Sequence, residues 1–385
     1  MTARDAWVAP VQVKVGPDGA VWVSDFYTLV AQHNPTPRNM MGCCQTGPGQ
    51  AYETPNRDRL HGRIYRIVYD SARPAAPKRL DTATPAQLVA ALDDDNLFWR
   101  HTAQRLLVER KATDAIPALI RRAGDHTVDS LGLNAGVLHA LWTLHGLGAL
   151  ASNADAMTAA RNALRHPAAS VRRAALQMLP RDSQLLTDML SSGILPDRGS
   201  PWPVEYTVSN AILSDADAHV RLEATLALSE LPPSDRGRNV VRELFASLDN
   251  ARDPWMPDAI AIAAAGHGPD LLGELLLQRI PANADSLTVN GLKRVVQRLA
   301  RLHSSKADIG PVVSLIHAVP RAHIGLATAL LEGVAAGWPE ERQPQLTPEH
   351  RAALAEAASS SPGELRPLFD RVAARWTIPD AFRTP

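Results

Sequence analysis

The sequence predicts a mainly α-helical protein, an α-solenoid of paired helices preceded by a small β segment. Residues 11–26, "VQVKVGPDGAVWVSDF", alternate valine with other residues, which is typical of strands. After residue 80 the apolar residues instead follow a helical period, and one helical pattern recurs along the chain. A chain of 385 residues is long enough for a small domain together with a repeat array.

The composition excludes several classes of protein. Forty basic and forty acidic residues cancel, so no overall field attracts nucleic acid, and we expect no nucleic-acid partner. There is no apolar run of about 18 residues. No apolar stretch follows Arg4 either, so we expect neither a membrane span nor a secretory signal.

The β segment contains three predicted strands. Alternating residues from Val11 to Val15 lead into the turn "GPDG", whose Asp-Gly pair favours a tight hairpin, and a second strand follows at Val21. After a polar stretch rich in proline, asparagine and glycine, "GRIYRIVY" supplies the third strand. Because so small an open sheet buries little and leaves its edges open, it needs other structure to cover it.

The helical pattern repeats at steps of about 36 residues, with one longer step, which is the period of a two-helix solenoid repeat. Counted from the Trp or Val that precedes Arg100, Arg172 and Arg221, positions +4, +7 and +8 fall on one helical face. They carry Ala103, Leu106 and Leu107, then Ala175, Met178 and Leu179, then Ala224, Ala227 and Leu228. The pattern indicates HEAT-type repeats.

The three arginines follow acidic or turn segments, "LDDDN", "RHPAAS" and "SDADAH". We predict that each pairs with an aspartate or a carbonyl of its own or the adjacent repeat; a basic ladder that binds phosphate is the alternative. The longer step contains a proline-rich insertion, residues 193–206, which carries Trp202 and Tyr206. These aromatics are candidates for an interaction surface, with a loop that tucks them against neighbouring helices as the alternative.

Motifs for catalysis are absent from the sequence. There is no GxSxG, no Walker lysine loop and no GxGxxG, so no catalytic residue is assigned. Cys43 and Cys44 are adjacent, which excludes a CxxCH haem site within this sequence. A vicinal disulfide, a soft-metal site and a loop that merely carries sulfur all remain open, and we predict no metal site.

Several motifs resemble a known family. "WVSDFYTLVAQHNPTP", "GPGQAYETPNRDRLHGRIYRIVY" and "LDDDNLFWRHTAQRLLVER" are similar to large bacterial membrane-bound dehydrogenase-like proteins, frequent in planctomycetes and verrucomicrobia. In that family a β-propeller similar to sugar dehydrogenases precedes HEAT repeats and often a c-type cytochrome domain. The resemblance covers roughly residues 5–150, so it implies one terminal propeller blade here and a fragment or truncated member.

The same resemblance locates candidate binding residues in the loop between the second and third strands. Pairing of those strands brings the two ends of the loop together. Carboxylate and amide oxygens suit calcium, and arginine suits a quinone carboxylate. The candidates are Asp25, His33, Asn34, Glu53, Arg57 and Asp58. The alternative is that these residues cap turns and hold the loop. Pyrroloquinoline quinone and calcium are implied for a full-length relative, and no cofactor is expected in this chain alone.

The predicted organisation is a β segment over 1–70, a linker over 71–82, HEAT-like repeats over 83–376 and a tail over 377–385. Two interpretations of its function remain. In one, the chain is the C-terminal part of a propeller dehydrogenase, whose repeats dock a protein partner or the propeller and cytochrome domains. In the other, it is a stand-alone HEAT scaffold. The resemblance implies a periplasmic location, whereas a complete chain without a signal is expected in the cytoplasm.

Overall fold

The structure is a computed structural model that describes residues 4–28, 45–46, 52–53, 60–71, 78–191, 212–268, 270–282 and 284–382. By contacts the chain divides into two compact units. The first contains Met1–Ala123 and Ala135–Ala149, and the second contains Gly124–Asn134 and Leu150–Pro385. None of the helices in the described ranges is both long and apolar enough to cross a membrane.

The three predicted strands form one antiparallel sheet in the first unit. Its strands are β1 (Pro10–Val15), β2 (Val21–Asp25) and β5 (Arg63–Ile67), in the order β1-β2-β5. Two short strands between them, β3 (Gln45–Thr46) and β4 (Tyr52–Glu53), pair with each other. The tight turn after β1 closes with a hydrogen bond of 2.9 Å from the Gly16 amide to the Ala20 carbonyl.

Every regular element described after residue 78 is a helix. The first unit contains α1 (Pro85–Ala90), α2 (Leu97–Glu109), α3 (Ile116–Ala123) and α4 (Ala135–Gly146), and α5 (Ala149–Ser152) lies at the division. The second contains α6 (Ala154–Asn162), α7 (Ala169–Met178), α8 (Ser183–Ser191), α9 (Ala218–Ser229), α10 (Asp235–Ala246), α11 (Leu248–Arg252), α12 (Met256–His267), α13 (Leu271–Leu276), α14 (Ser286–Lys306), α15 (Ile309–His317), α16 (Ile324–Gly337), α17 (Pro348–Ser359) and α18 (Arg366–Arg375).

The β1-β2 turn packs on the start of α2 within the first unit. The Asn96 side-chain amide donates to the Gly16 carbonyl at 2.8 Å, and the Trp99 indole donates to the Pro17 carbonyl at 2.9 Å. These contacts pack the sheet on the first helices, which supply part of the cover that so small a sheet needs. The described strands end at Ile67 and α1 begins at Pro85. The predicted domain boundaries themselves stay a prediction.

Local sequence signals explain where the repeat helices begin. A single 3-10 turn precedes each of α2, α7 and α9. Asn96 and Asp217 then cap α2 and α9, because their side-chain oxygens accept the amides exposed at a helix start. The small and apolar positions of the repeat pattern lie in the core; Leu106, which is half-buried, is the exception among the nine.

In the second unit the helices that end each repeat form one continuous series. α7 packs on α9, α9 on α12, α12 on α14, α14 on α16 and α16 on α18. Each helix therefore covers part of an apolar face of the next helix in the series, as stacked repeats require. The predicted fold class, a mainly α-helical solenoid with a small β segment before it, is confirmed.

The closest helix packing in this series joins α16 to α14. A Cβ added at Gly333 would lie 2.5 Å from the Gln297 carbonyl oxygen and 2.6 Å from the Ala300 Cβ, both on α14. Gly337, one turn later, faces the backbone of Arg301 in the same way. The absent side chains let the two backbones approach, so glycine is required at these positions by packing.

We predict that Gly333→Ala lowers the free energy of unfolding by about 1–3 kcal/mol, because the added methyl group overpacks the α14 contact. Gly273→Ala is the matched control, since a Cβ there meets only the Leu315 side chain, at an ordinary 3.6 Å. Removing this helical glycine should change stability by less than about 1 kcal/mol, in the stabilising direction. Chemical denaturation measures both variants, and equal stabilities for them would contradict the packing argument.

Candidate functional site

The ends of β2 and β5 meet, as predicted for the two ends of the loop between them. Asp25 lies opposite Arg63 in the ladder. The Arg63 guanidinium stacks 3.5 Å above the centre of the Tyr27 ring, and the Tyr65 hydroxyl donates to Asp25 at 3.0 Å. We call Asp25, Tyr27, Arg63 and Tyr65 the strand-end cluster. It combines a carboxylate, two phenols and a guanidinium at one end of the sheet.

The carboxylate of Asp25 is buried and holds the chain around it. Its Oδ1 accepts the amides of Ala9 and Tyr27, each at 2.8 Å, and its Oδ2 accepts the Tyr65 hydroxyl. Burial by itself raises the pKa of Asp25, but the hydrogen bonds from Tyr27, Ala9 and Tyr65 outweigh it and hold the pKa below its usual value. This arrangement favours the turn-capping alternative, because both oxygens already accept donors from the protein.

The other candidates in the loop are not brought into this cluster by the described structure. The backbone of Glu53 lies in β4, and nothing is described of its side chain. His33, Asn34, Arg57 and Asp58 lie outside the described residues, as do Cys43, Cys44, Trp202 and Tyr206. Their predicted roles in binding a cofactor or forming an interaction surface stay predictions.

Sequence reasoning did not assign a role to Arg63 or Tyr65. Hydrogen bonding with Tyr65 is the main cause that raises the pKa of Arg63, so its guanidinium stays charged beside the Tyr27 ring. Their alternation along the third strand places both on one face, which was a usable signal. The sequence does not give the register in which β2 and β5 pair. Only the observed pairing of Asp25 with Arg63 shows which residues of β2 share that face.

The three repeat arginines have the structural role that we predicted. In each case the guanidinium Nη1 donates to the two carbonyls that lie six and five residues earlier, in the turn before the helix. The acceptors are Asp94 and Asp95 for Arg100, His166 and Pro167 for Arg172, and Asp215 and Ala216 for Arg221. We call this recurring contact the turn clamp. The turn clamp uses guanidinium Nη1 donors that a phosphate-binding site would need.

Arg172 also joins two successive repeats. Its Nε and Nη2 atoms donate to the two carboxylate oxygens of Asp215, both at 2.7 Å, and the side chains of Arg172 and Asp215 are only 11% and 9% exposed. The guanidinium fork thus matches the carboxylate in two parallel bonds, the strongest geometry for such a pair. A buried, doubly bonded pair fixes the register between α7 and α9.

His166 takes the place that aspartate occupies in the equivalent turns. Asp94 and Asp215 each accept the amide two residues later at 2.9 Å, and the His166 Nδ1 accepts the Ala168 amide at the same distance. The proton therefore lies on Nε2, which donates to the Asp125 carbonyl at 2.9 Å. Burial lowers the pKa of His166, consistent with a neutral ring. Alignment of the repeats was the signal that could have found this residue.

Exposed apolar side chains mark a surface on the helical array. Trp255, at the N-cap position of α12, and Leu287, in the first turn of α14, are each 65% exposed. The Arg252 guanidinium donates to Asp285 at 3.1 Å, so the starts of the two helices lie side by side. We call Trp255 and Leu287 the helix-start patch. Large apolar side chains that are exposed at neighbouring helix starts are candidates for an interaction surface.

The residues that the structure describes contain no group of three or more His, Cys, Asp or Glu side chains that could hold a metal ion.

Comparison with known proteins gives a partial match. A family whose description reads "Domain of unknown function (DUF7133)" matches residues 1–71. No curated protein matches the chain. Among solved structures, the complex of CpcE and CpcF of phycocyanin lyase from Nostoc sp. PCC7120 is 18% identical over 76% of this chain and 99% of that chain, with a TM-score of 0.25. The family match coincides with the β segment and ends before the first helix.

We predict that Arg172→Ala lowers the free energy of unfolding by about 3 kcal/mol or more, because it strands the buried Asp215 carboxylate and unpairs two turn carbonyls. The neighbouring Arg173→Ala is the control. Arg173 is 49% exposed and lies 3.6 Å from Glu223, so its loss should cost less than about 1 kcal/mol. Urea denaturation compares the two. If both variants unfold with the wild-type midpoint, the turn clamp does not stabilise the repeats.

Proposed function

We propose that the helical array is a non-catalytic interaction arm, and that the chain forms the C-terminal portion of a propeller-type dehydrogenase. In this proposal the array docks an electron-accepting partner, a c-type cytochrome domain, near the dehydrogenase domain. The helix-start patch is the observation that carries the proposal.

The patch supports docking because it is costly to leave exposed. Burying the apolar surface of tryptophan and leucine stabilises a complex by about 25 cal/mol for each Å² removed from water. Buried tryptophan side chains contribute much of the binding free energy at many protein interfaces. The Trp255 amide is fixed by Asp253 Oδ1 at 2.8 Å, and the Arg294 guanidinium donates to the Pro254 carbonyl at 2.8 Å. The backbone that presents Trp255 is thus held in place, which lowers the entropy lost on binding.

The polar residues of the array support a non-catalytic role. The guanidinium groups of Arg100, Arg172 and Arg221 donate hydrogen bonds to turn carbonyls. The neutral His166 ring accepts the Ala168 amide within its turn. The Nη1 atoms of all three arginines are thus used to hold the fold, and Arg172 uses its other two nitrogens on Asp215 as well. The array accordingly supplies shape and apolar contact area to a partner.

The dehydrogenase context rests on the resemblance of residues 5–150 and is part of the proposal. The pairing of Asp25 with Arg63 brings the two ends of the loop between β2 and β5 together, as a site in that loop would require, although the Asp25 carboxylate itself is occupied by donors from the protein. A quinone and calcium in a propeller lie where several blades converge, and stabilising a hydride-transfer transition state needs that converged set of groups. One blade supplies too few of them. We propose a periplasmic location on the same resemblance.

We predict that the purified chain binds the isolated c-type cytochrome domain of a full-length relative, and that Trp255→Ala weakens this binding about 30-fold or more. That loss corresponds to the roughly 2 kcal/mol of an interface hot spot. Leu131→Ala, which removes an exposed leucine outside α12 and α14, should leave the affinity unchanged. Isothermal titration calorimetry measures all three proteins. Absence of binding by the wild-type chain, or equal affinities for the two variants, would refute the docking role.

We also predict that the chain alone catalyses no sugar- or alcohol-dependent reduction of an artificial dye, even after incubation with pyrroloquinoline quinone and calcium. It should also show no haem absorbance, because Cys43 and Cys44 cannot form a CxxCH site. A full-length relative serves as the positive control. Turnover that is abolished by changing His33 or Arg57 would instead assign a complete active site to residues 25–61.

A further inference from the structure

The outer edge of β1 has backbone groups that point away from the sheet. β1 pairs with β2 on one side, and no described strand pairs with it on the other. The Gly16 amide donates to the Ala20 carbonyl and so faces β2, and the residues whose backbone groups face the partner strand alternate along an antiparallel ladder. The backbone amide and carbonyl of Lys14 therefore face β2, whereas the backbone amide and carbonyl groups of Val13 and Val15 face outward. These outward groups are a template for another strand.

The side chains of β1 increase the tendency of this edge to pair. Val11, Val13 and Val15 are 58%, 61% and 49% exposed, all on one face of the strand. Natural edges are usually protected by charges or by proline within the strand. Here Lys14 is the one charged residue of β1, and Pro10 lies at its first position, where proline leaves the outward amides of Val13 and Val15 intact.

A groove of about 590 Å³ runs beside this edge, between β1 and α2. Its apolar lining comes from Val13 and Val15 on the strand and from Leu97 and Phe98 on the helix. Leu97 and Phe98 are themselves exposed, although both are large and apolar. An extended strand along β1 would pair with the outward amides and cover all four side chains at once.

The polar residues of the groove are basic. Lys14, His101 and Arg105 contribute to its lining together with the hydroxyl of Thr102. The only acidic partner described for these side chains is Glu109, 3.7 Å from Arg105 and one helical turn along α2. Two cations and an imidazole around an apolar groove attract a segment that carries acidic residues.

We propose that the β1-α2 groove binds an extended segment of a protein partner in which aliphatic residues alternate with acidic ones. The segment adds to β1 as a fourth strand, with its aliphatic side chains on the face of Val13 and Val15 and its acidic side chains on the face of Lys14. This recognition is independent of the proposed docking of a cytochrome on the helix-start patch. A second copy of the chain fits less well, because its own β1 would bring another Lys14 to a basic groove.

The test is fluorescence anisotropy with a labelled peptide of alternating valine and glutamate, about six residues long, the length of a typical strand. We expect saturable binding that weakens with salt, and at least about tenfold weaker binding of the matching valine-lysine peptide. Val13→Pro should weaken binding of the valine-glutamate peptide about five- to tenfold, because it removes one outward donor while the β1-β2 bonds remain. Lys14→Glu should weaken it about tenfold, whereas Arg121→Glu, an exposed cation of α3 outside the groove, should not.

Three outcomes would overturn the proposal. The first is no saturable binding, or equal binding of the two peptides. The second is slow hydrogen exchange of the Val13 and Val15 amides in the unliganded protein, which would show that they already have a partner. The third is self-association that Val13→Pro abolishes, which would assign the edge to a second copy. The Lys14→Glu variant keeps the test decisive if Val13→Pro fails to fold, because Lys14 is exposed.

Discussion

The turn clamp is the interaction on which the repeat array depends. A turn between two packed helices leaves carbonyl groups without partners, and a buried carbonyl that lacks a donor costs about 1–3 kcal/mol. Arg100, Arg172 and Arg221 each solve this problem with one guanidinium nitrogen that serves two carbonyls. Where the carboxylate of Asp215 is also available, the remaining nitrogens of Arg172 connect one repeat to the next. The same chemistry therefore ends one helix pair and positions the following one.

Close stacking of the repeats decides what is left at the surface. Gly333 lets α16 approach the α14 backbone, and the small residues of the repeat pattern are buried in the same series of helices. Among the large apolar residues that stay exposed are Trp255 at the start of α12 and, separately, Val13 at the open edge of the sheet. Both surfaces are held by hydrogen bonds from neighbouring elements, so both are formed before any partner arrives.

The candidate site was only partly predictable. That the ends of the loop meet follows from pairing two strands, and the sequence identified both strands. The hydrogen bonds of Asp25 could not be read from the sequence, because they come from Ala9 just before β1, from Tyr27 just after β2 and from Tyr65 on β5. A carboxylate that caps a turn and one that binds calcium look alike in a sequence, since both need the same oxygen atoms. The hydrogen-bond partners of the carboxylate distinguish the two roles.

By itself the sequence determined the spacing of the repeats and the face that each repeat helix buries, because both depend on a regular pattern. It predicted the structural role of the three arginines and left phosphate binding as the alternative, which the contacts with the turn carbonyls then decided. It also determined the hairpin at Gly16, since local turn chemistry fixes it. Tertiary structure alone decided that the His166 ring reaches the Asp125 carbonyl and that α14 lies against Gly333. It also decided that the valines of β1 stay exposed beside α2. These features depend on register and on which distant element packs where, and alternation along one strand cannot show whether another element covers it.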